Sequence, residues 1–172
     1  MQHWVIKTTE GGPAEADHWE DFKRDRVVAV GWSRVQDDPM DFSSEPTYLA
    51  RLESQYNWTG GNPNHAASTI YNFAKSWRTG DLVIICEGYS PNQLKDVRLH
   101  GFAIVVDYFF DPNPQWRWRF KRRAEISIVE QGIPKEVFVE SLGMESMLRT
   151  IHGPLLERSF CTFIENVRKL YP

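Results

Sequence analysis

The stretch QWRWRFKRR at residues 115–123 sets Trp116, Trp118 and Phe120 on alternate positions, with Arg117, Arg119 and Lys121 between them. Side chains alternate across a strand, so such a run turns rings to one face and cations to the other. Arg122 and Arg123 extend the positive charge. One chemistry this permits is capture of a flat anionic ligand, with rings stacking on it and cations holding its charge. An amphipathic strand with a buried aromatic face and a solvated basic face is the commoner source of the pattern, and spacing alone leaves both open.

Other reactive residues are dispersed. The histidines (His3, His18, His65, His100 and His152) show no paired spacing of a zinc site. Gly11-Gly12 and Gly60-Gly61 lack the spacing and context of a phosphate-binding loop. Cys86, in LVIIC, and Cys161, in FCTFI, read as buried small hydrophobes whose thiols are inert. A Cys–His pair is not forbidden, because such partners meet only in the fold. Asp37, Asp38 and Asp41 share one loop and could hold a cation, although solvated turn residues are the usual explanation. No catalytic signature emerges, and neither a metal nor a cofactor is expected.

Bulk properties narrow the class. A chain of 172 residues with 25% charged and 41% hydrophobic residues fits one globular domain over 1–172. Its net charge of −3 argues against a cationic coat for bulk nucleic-acid binding while allowing a local basic patch. Seven tryptophans suit a protein that grips planar groups. Two distant cysteines argue against a disulfide scaffold and for a reducing cytosol. MQHWVIKTTE reaches polar residues too soon for a signal peptide, and no apolar stretch approaches a membrane span. Asn57-Trp58-Thr59 matches a glycosylation sequon, which means nothing without export. The expectation is a cytoplasmic protein with no membrane partner.

These residues need elements to position them. Strands are expected over 3–7, 26–32, 81–88 and 97–110, with a bend or bulge near Gly101, then over 115–123 and 124–130. Helices are expected over 15–24, near 47–55, and over 64–78, where Ala66, Ile70, Phe73, Ala74 and Trp77 form an apolar stripe. Asn62 is the expected N-cap of that last helix, with Pro63 at its first position. Further helices are expected over 135–142, 144–151 and 155–170. Short strands mixed with helices, without regular alternation, give an α+β domain with a small curved sheet or partial barrel.

In order and spacing, VVAVGWSRV (27–35), YNFAKSWRTGDLVII (71–85) and LHGFAIVVDYFF (99–110) resemble the EVE/YTH branch of the PUA-like superfamily. Gly31-Trp32-Ser33 and Trp77-Arg78-Thr79-Gly80-Asp81-Leu82-Val83 are its most specific pieces, and the likeness spans about residues 3–130. The resemblance implies a small mixed, partly open β-barrel with flanking helices; the loop over 36–63 and the C-terminal helical extension over about 131–172, read from the residues, match nothing in it. It implies a module that recognises a modified, methylated base in an aromatic cage. DNA in a restriction or defence setting is favoured over RNA, with a nuclease or NTPase partner protein as effector.

Carried onto this chain, the resemblance makes Trp32 one cage wall, Ser33 an adjacent hydrogen-bonding group, and Trp116 or Trp118 the second wall. Tyr89 and Trp58 are further loop aromatics of the cage. Arg34, Lys75, Arg78, Arg117, Arg119, Lys121, Arg122 and Arg123 would hold flanking phosphates. Each has a plainer alternative: Trp32 could cap the core, Trp58 could anchor its loop, and exposed basic residues usually do nothing specific. Trp77 suits core packing, and Asp81 suits bonds to backbone amides at its turn. Three alternatives stay open: a YTH/EVE-like RNA reader, a small PUA-like enzyme acting on a nucleobase or nucleotide, and a protein-interaction module using the C-terminal helix. Oligomeric state is not legible.

Overall fold

The chain's first strand, β1 (His3–Lys7), is buried at every position, which the run HWVIK anticipates. A strand with no exposed face must lie inside a sheet. The structure, a computed structural model, describes residues 1–9, 16–32, 34–56, 62–92, 95–113, 118–147 and 149–171. The elements that follow are α1 (Trp19–Asp25), β2 (Val27–Val30), a 3-10 turn (Pro39–Asp41), α2 (Glu45–Gln55), α3 (Pro63–Lys75) and β3 (Leu82–Cys86). After them come β4 (Val97–Phe110), β5 (Phe120–Ile133), α4 (Lys135–Leu142), β6 (Ile151–Leu155) and α5 (Glu157–Leu170). Among the described residues this is a mixed α+β fold whose curled, half-barrel sheet has the strand order β2-β5-β4-β3-β1-β6.

Caps start the middle helices where the side chains predict. Ser44 and Thr47 form a reciprocal capping box on α2. On α3, Asn62 accepts from the Asn64 backbone N–H at 2.9 Å, and Pro63 occupies the first turn. From α3, Ala67, Ile70 and Phe73, with Trp77 just past the helix, pack into the core of one sheet face with Trp4, Val28, Trp118 and Phe120. The other face buries Val5, Ile84 and Leu99 against α4 and α5, with the Phe138 and Phe163 rings 4.9 Å apart.

Asp81 ties three segments together. Its carboxylate accepts from the Gln2 backbone N–H at 2.7 Å, the Arg78 backbone N–H at 2.9 Å and the Trp4 indole at 3.1 Å. The turn-bonding role expected of Asp81 is therefore present and extends to β1. Trp77 is core, stacked on Trp4 with centroids 5.2 Å apart.

The C-terminal third corrects the sequence reading. No helix forms over 144–147 or 149–150, and Ile151–Leu155 pairs antiparallel with β1 instead. Met144 and Met147 bury their side chains from an irregular chain held by Tyr89, whose hydroxyl donates to the Met144 carbonyl and whose carbonyl accepts from the Met147 N–H. The extension is thus partly strand. Cys161, expected to be buried, is exposed on α5, whereas Cys86 is buried and its thiol is pushed upward by desolvation.

Candidate functional site

At its C-terminal end β2 delivers two adjacent residues of opposite size. Gly31 lies so close to Trp118 that an added Cβ would stand 2.4 Å from the indole nitrogen. Trp32 then takes φ of 155°, a backbone value that residues with a Cβ rarely adopt. Its indole is half-buried: one side packs on the core, and its edge meets the His65 ring at 5.8 Å and 77°. Outliers of this kind concentrate at ligand-contacting positions.

His65 sits in the first turn of α3, and its charge state reports the surroundings. Burial first, then the positive fields of Arg149 and Lys7, hold its imidazole below the usual histidine range. His152, on β6, is lowered by burial and by Arg149 as well. Arg149 is exposed. The half-buried indole therefore borders an imidazole kept neutral near pH 7, within reach of two cationic side chains. That combination suits a planar group carrying negative charge nearby.

The expected second walls lie elsewhere. Trp118 is 3% exposed, with its ring 4.5 Å from His18 and 5.7 Å from Phe22, inside the core. Tyr89 is 2% exposed and belongs to the core of the opposite sheet face. Both assignments as cage walls are corrected, because packing fills the space around each ring. Ser33, Trp58, Trp116 and Arg117 lie outside the described residues.

Expected phosphate ligands divide in the same way. Lys121 is buried in a 2.7 Å ion pair with Asp111. Arg122 is buried, donating to the Phe73 and Ala74 carbonyls at 2.8 and 2.7 Å. The two do point to opposite faces of β5, where it pairs with β2 and β4, yet each side chain is buried there. Neither is the solvated cation expected of it. Arg119 is half-buried and donates to the Pro112 carbonyl, and Lys75 donates to the Met40 carbonyl at 3.1 Å. Arg34, Arg78 and Arg123 are exposed; Arg78 also donates to the Lys75 carbonyl, and Arg123 lies 3.6 Å from Asp107.

A second polar group went unnoticed in the sequence. Relative to β3, β4 carries one extra residue at His100, and relative to β4, β5 carries one extra residue beside Glu130, whose φ is 53°. The bulge expected near Gly101 is therefore present. It turns His100 into the interior, where the imidazole stacks on Trp19 at 4.9 Å and is 1% exposed. Neither ring nitrogen makes a hydrogen bond, nor does the buried Thr8 hydroxyl. Asp17 Oδ2 lies 3.3 Å from His100 Nε2, close enough for an ion pair but too oblique for a hydrogen bond. Burial raises the Asp17 carboxyl, but His100, Thr8 and the Trp19 backbone N–H outweigh it and bring it to about 2. Leaving such buried groups unpaired costs about 1–3 kcal/mol each. Gly101 was the sole sequence signal, since Thr8, Asp17 and His100 meet only through pairing of distant segments.

Among the described residues no group of three His, Cys, Asp or Glu side chains could hold a metal ion, and no helix is long and apolar enough to cross a membrane. Fold and site together define an α+β protein with a half-barrel sheet and an aromatic, cation-bordered edge at Trp32. Residues 4–152 match the family described as Domain of unknown function (DUF8426), and the chain belongs to that family. No curated protein matches it. Among solved structures, a hypothetical protein from Leishmania major aligns over 99% of this chain and 96% of that chain, at 12% identity and a TM-score of 0.46.

Proposed function

We propose that this chain is a nucleic-acid-binding module of PUA-like architecture, related to EVE and YTH readers, that receives a modified base against Trp32. One observation carries the reading: the Trp32 ring is half-buried at a strand end, on a backbone conformation that a core-filling residue has no reason to adopt. A flipped base regains on such a ring about 1–3 kcal/mol of lost stacking. A methyl group between ring and base adds buried apolar area, at about 25 cal/mol per Å².

The cage differs from the one the sequence suggests. Its edge partner is His65, and its nearest cationic influences are Arg149 and Lys7 rather than Lys121 and Arg122. Exposed Arg34 follows Trp32 closely in sequence and can extend the phosphate path. The overall charge of −3 keeps indiscriminate binding weak, so discrimination falls to the base. DNA bearing a methylated base, in a restriction or defence setting, is the favoured substrate.

Titration of methylated and unmodified DNA and RNA strands, followed by tryptophan fluorescence and anisotropy, tests this. Selective binding to a methylated strand, abolished in Trp32→Ala, is the expected result. Equal weak binding of every strand, unchanged in Trp32→Ala, overturns it.

A further inference from the structure

The Thr8 hydroxyl and the His100 imidazole lower the Asp17 carboxyl, yet neither has an aligned hydrogen bond in the core it occupies. Thr8 is fully buried and His100 almost so, yet the Thr8 hydroxyl and both imidazole nitrogens lack partners. The interior is not short of acceptors there. Asp17 reaches to 3.3 Å of His100 Nε2 without aligning, while 40% of its side chain stays in solvent. Its backbone is held by a lone bridge to Thr9, whose hydroxyl accepts from the Gly88 N–H at 2.9 Å. Two bulges and a left-handed Glu130 are spent on aiming His100 inward. A histidine directed this way and met only obliquely by a half-solvated carboxylate is placed to exchange that partner for another.

We infer that Thr8 and His100, with Asp17 standing at the entrance, form a hydrogen-bonding subsite for the edge of a heterocyclic base. The two ring nitrogens of an imidazole donate or accept according to tautomer, and a threonine hydroxyl supplies either. Together they match an edge carrying a donor beside an acceptor, as on adenine or cytosine. Asp17 fills part of that position in the free protein and moves toward solvent when the base edge enters. Two relays connect the subsite with the strand end that carries Trp32. His18 donates its backbone N–H to the Thr8 carbonyl at 3.0 Å, packs its ring on Trp118, and Trp118 abuts Gly31. Thr8 also follows Lys7, whose charge acts on His65 beside Trp32. The identity of the occupant rests on the base-binding reading above; the existence of a polar subsite does not.

The test uses the full chain and nucleosides, which carry no phosphate and so leave the cationic residues out. Adenosine, N6-methyladenosine, cytidine and 5-methylcytidine are titrated while the His100 ring nitrogens are followed by 15N NMR. Affinities are compared for wild type, Thr8→Val, His100→Phe and Trp32→Ala. Thr8→Val keeps shape and removes the hydroxyl that acts on Asp17. If the hydroxyl serves a ligand, the same variant weakens nucleoside binding about tenfold, a loss of about 1.4 kcal/mol. His100→Phe keeps the stack on Trp19 and loses binding likewise. His100 nitrogens that stay unmoved at saturation, with Thr8→Val binding as wild type, overturn the subsite while a lost affinity in Trp32→Ala leaves the base-binding reading standing. His100 nitrogens that move, with Trp32→Ala binding as wild type, uphold the subsite and overturn the role of Trp32. No response to any nucleoside overturns the subsite outright.

Discussion

The guanidinium of Arg122 closes the end of α3 at Phe73: its Nε donates to the Phe73 carbonyl at 2.8 Å, and its central carbon lies 5.6 Å from the Phe73 ring. A second nitrogen donates to the Ala74 carbonyl at 2.7 Å, and the Tyr108 ring lies 5.4 Å from the same central carbon. Carbonyls of a last helical turn have no partners of their own, and a cation there also meets the negative end of the helix dipole. Burial is the main cause that lowers this arginine to about 10. What reads in sequence as part of a basic patch is a clamp between β5 and the helix that carries His65.

Arg122→Met is expected to lower stability by about 2–4 kcal/mol, because two helix-end carbonyls are left buried without donors. Arg122→Lys keeps the charge but cannot reach both carbonyls, so it falls between Met and wild type. Urea unfolding measures both. A loss below about 0.5 kcal/mol for Arg122→Met shows that the clamp contributes nothing beyond packing.

The backbone at position 32 gives a test independent of any ligand. Glycine normally destabilises relative to alanine by about 0.5–1 kcal/mol, yet at φ of 155° it alone is unstrained. Trp32→Gly is therefore expected to be at least as stable as Trp32→Ala by thermal unfolding, with both defective in nucleic-acid binding. Alanine the more stable of the two would remove the argument from strain.

His65 should titrate below its ordinary 6.5 in wild type and move upward in Arg149→Gln, though not fully, since burial remains. A folded value below the unfolded one means stability from this group is complete above 6.5 and declines as pH falls toward the folded value. Binding runs the other way: protonation adds charge near the phosphates, so affinity rises between about pH 7.5 and 5.5. NMR titration of the imidazole and anisotropy across that range check the two halves separately. An unmoved His65 in Arg149→Gln would take Arg149 out of the site.

Asp17 has the opposite sign. Its folded value of about 2 lies below the ordinary 3.8, so its stabilisation is present above 3.8 and is lost as pH falls to about 2. With 40% of the side chain in solvent, screening leaves about 1 kcal/mol of that effect. Unfolding of wild type and Asp17→Asn across this window should converge at its acid end. Parallel curves would mean that His100 and Thr8 do not hold the carboxylate.

The bounds of β1, β4 and α4 are legible residue for residue, because a continuous apolar run or a clear stripe leaves one way to bury each. Met144, Met147 and Ile151 share that helical spacing, yet their backbone pairs with Tyr89 and then with β1, partners remote in sequence. Trp32 is legible as a strand-end ring. Trp118 and Lys121 are not, because both side chains are buried and alternation cannot tell a covered position from a wet one. Thr8, Asp17 and His100 carry no mutual spacing at all, and two bulges bring them together.

The position of β1 between β3 and β6 also orders the events of synthesis. This strand is made before the rest of its sheet, yet its partners are Leu82–Cys86 and Ile151–Leu155, so one flank waits for roughly 80 residues and the other for about 150. Until then Trp4, Val5 and Ile6 have no shelter on the emerging chain. Slower translation and lower temperature should raise soluble yield, and a chain cut short before residue 151 should aggregate on release from the ribosome.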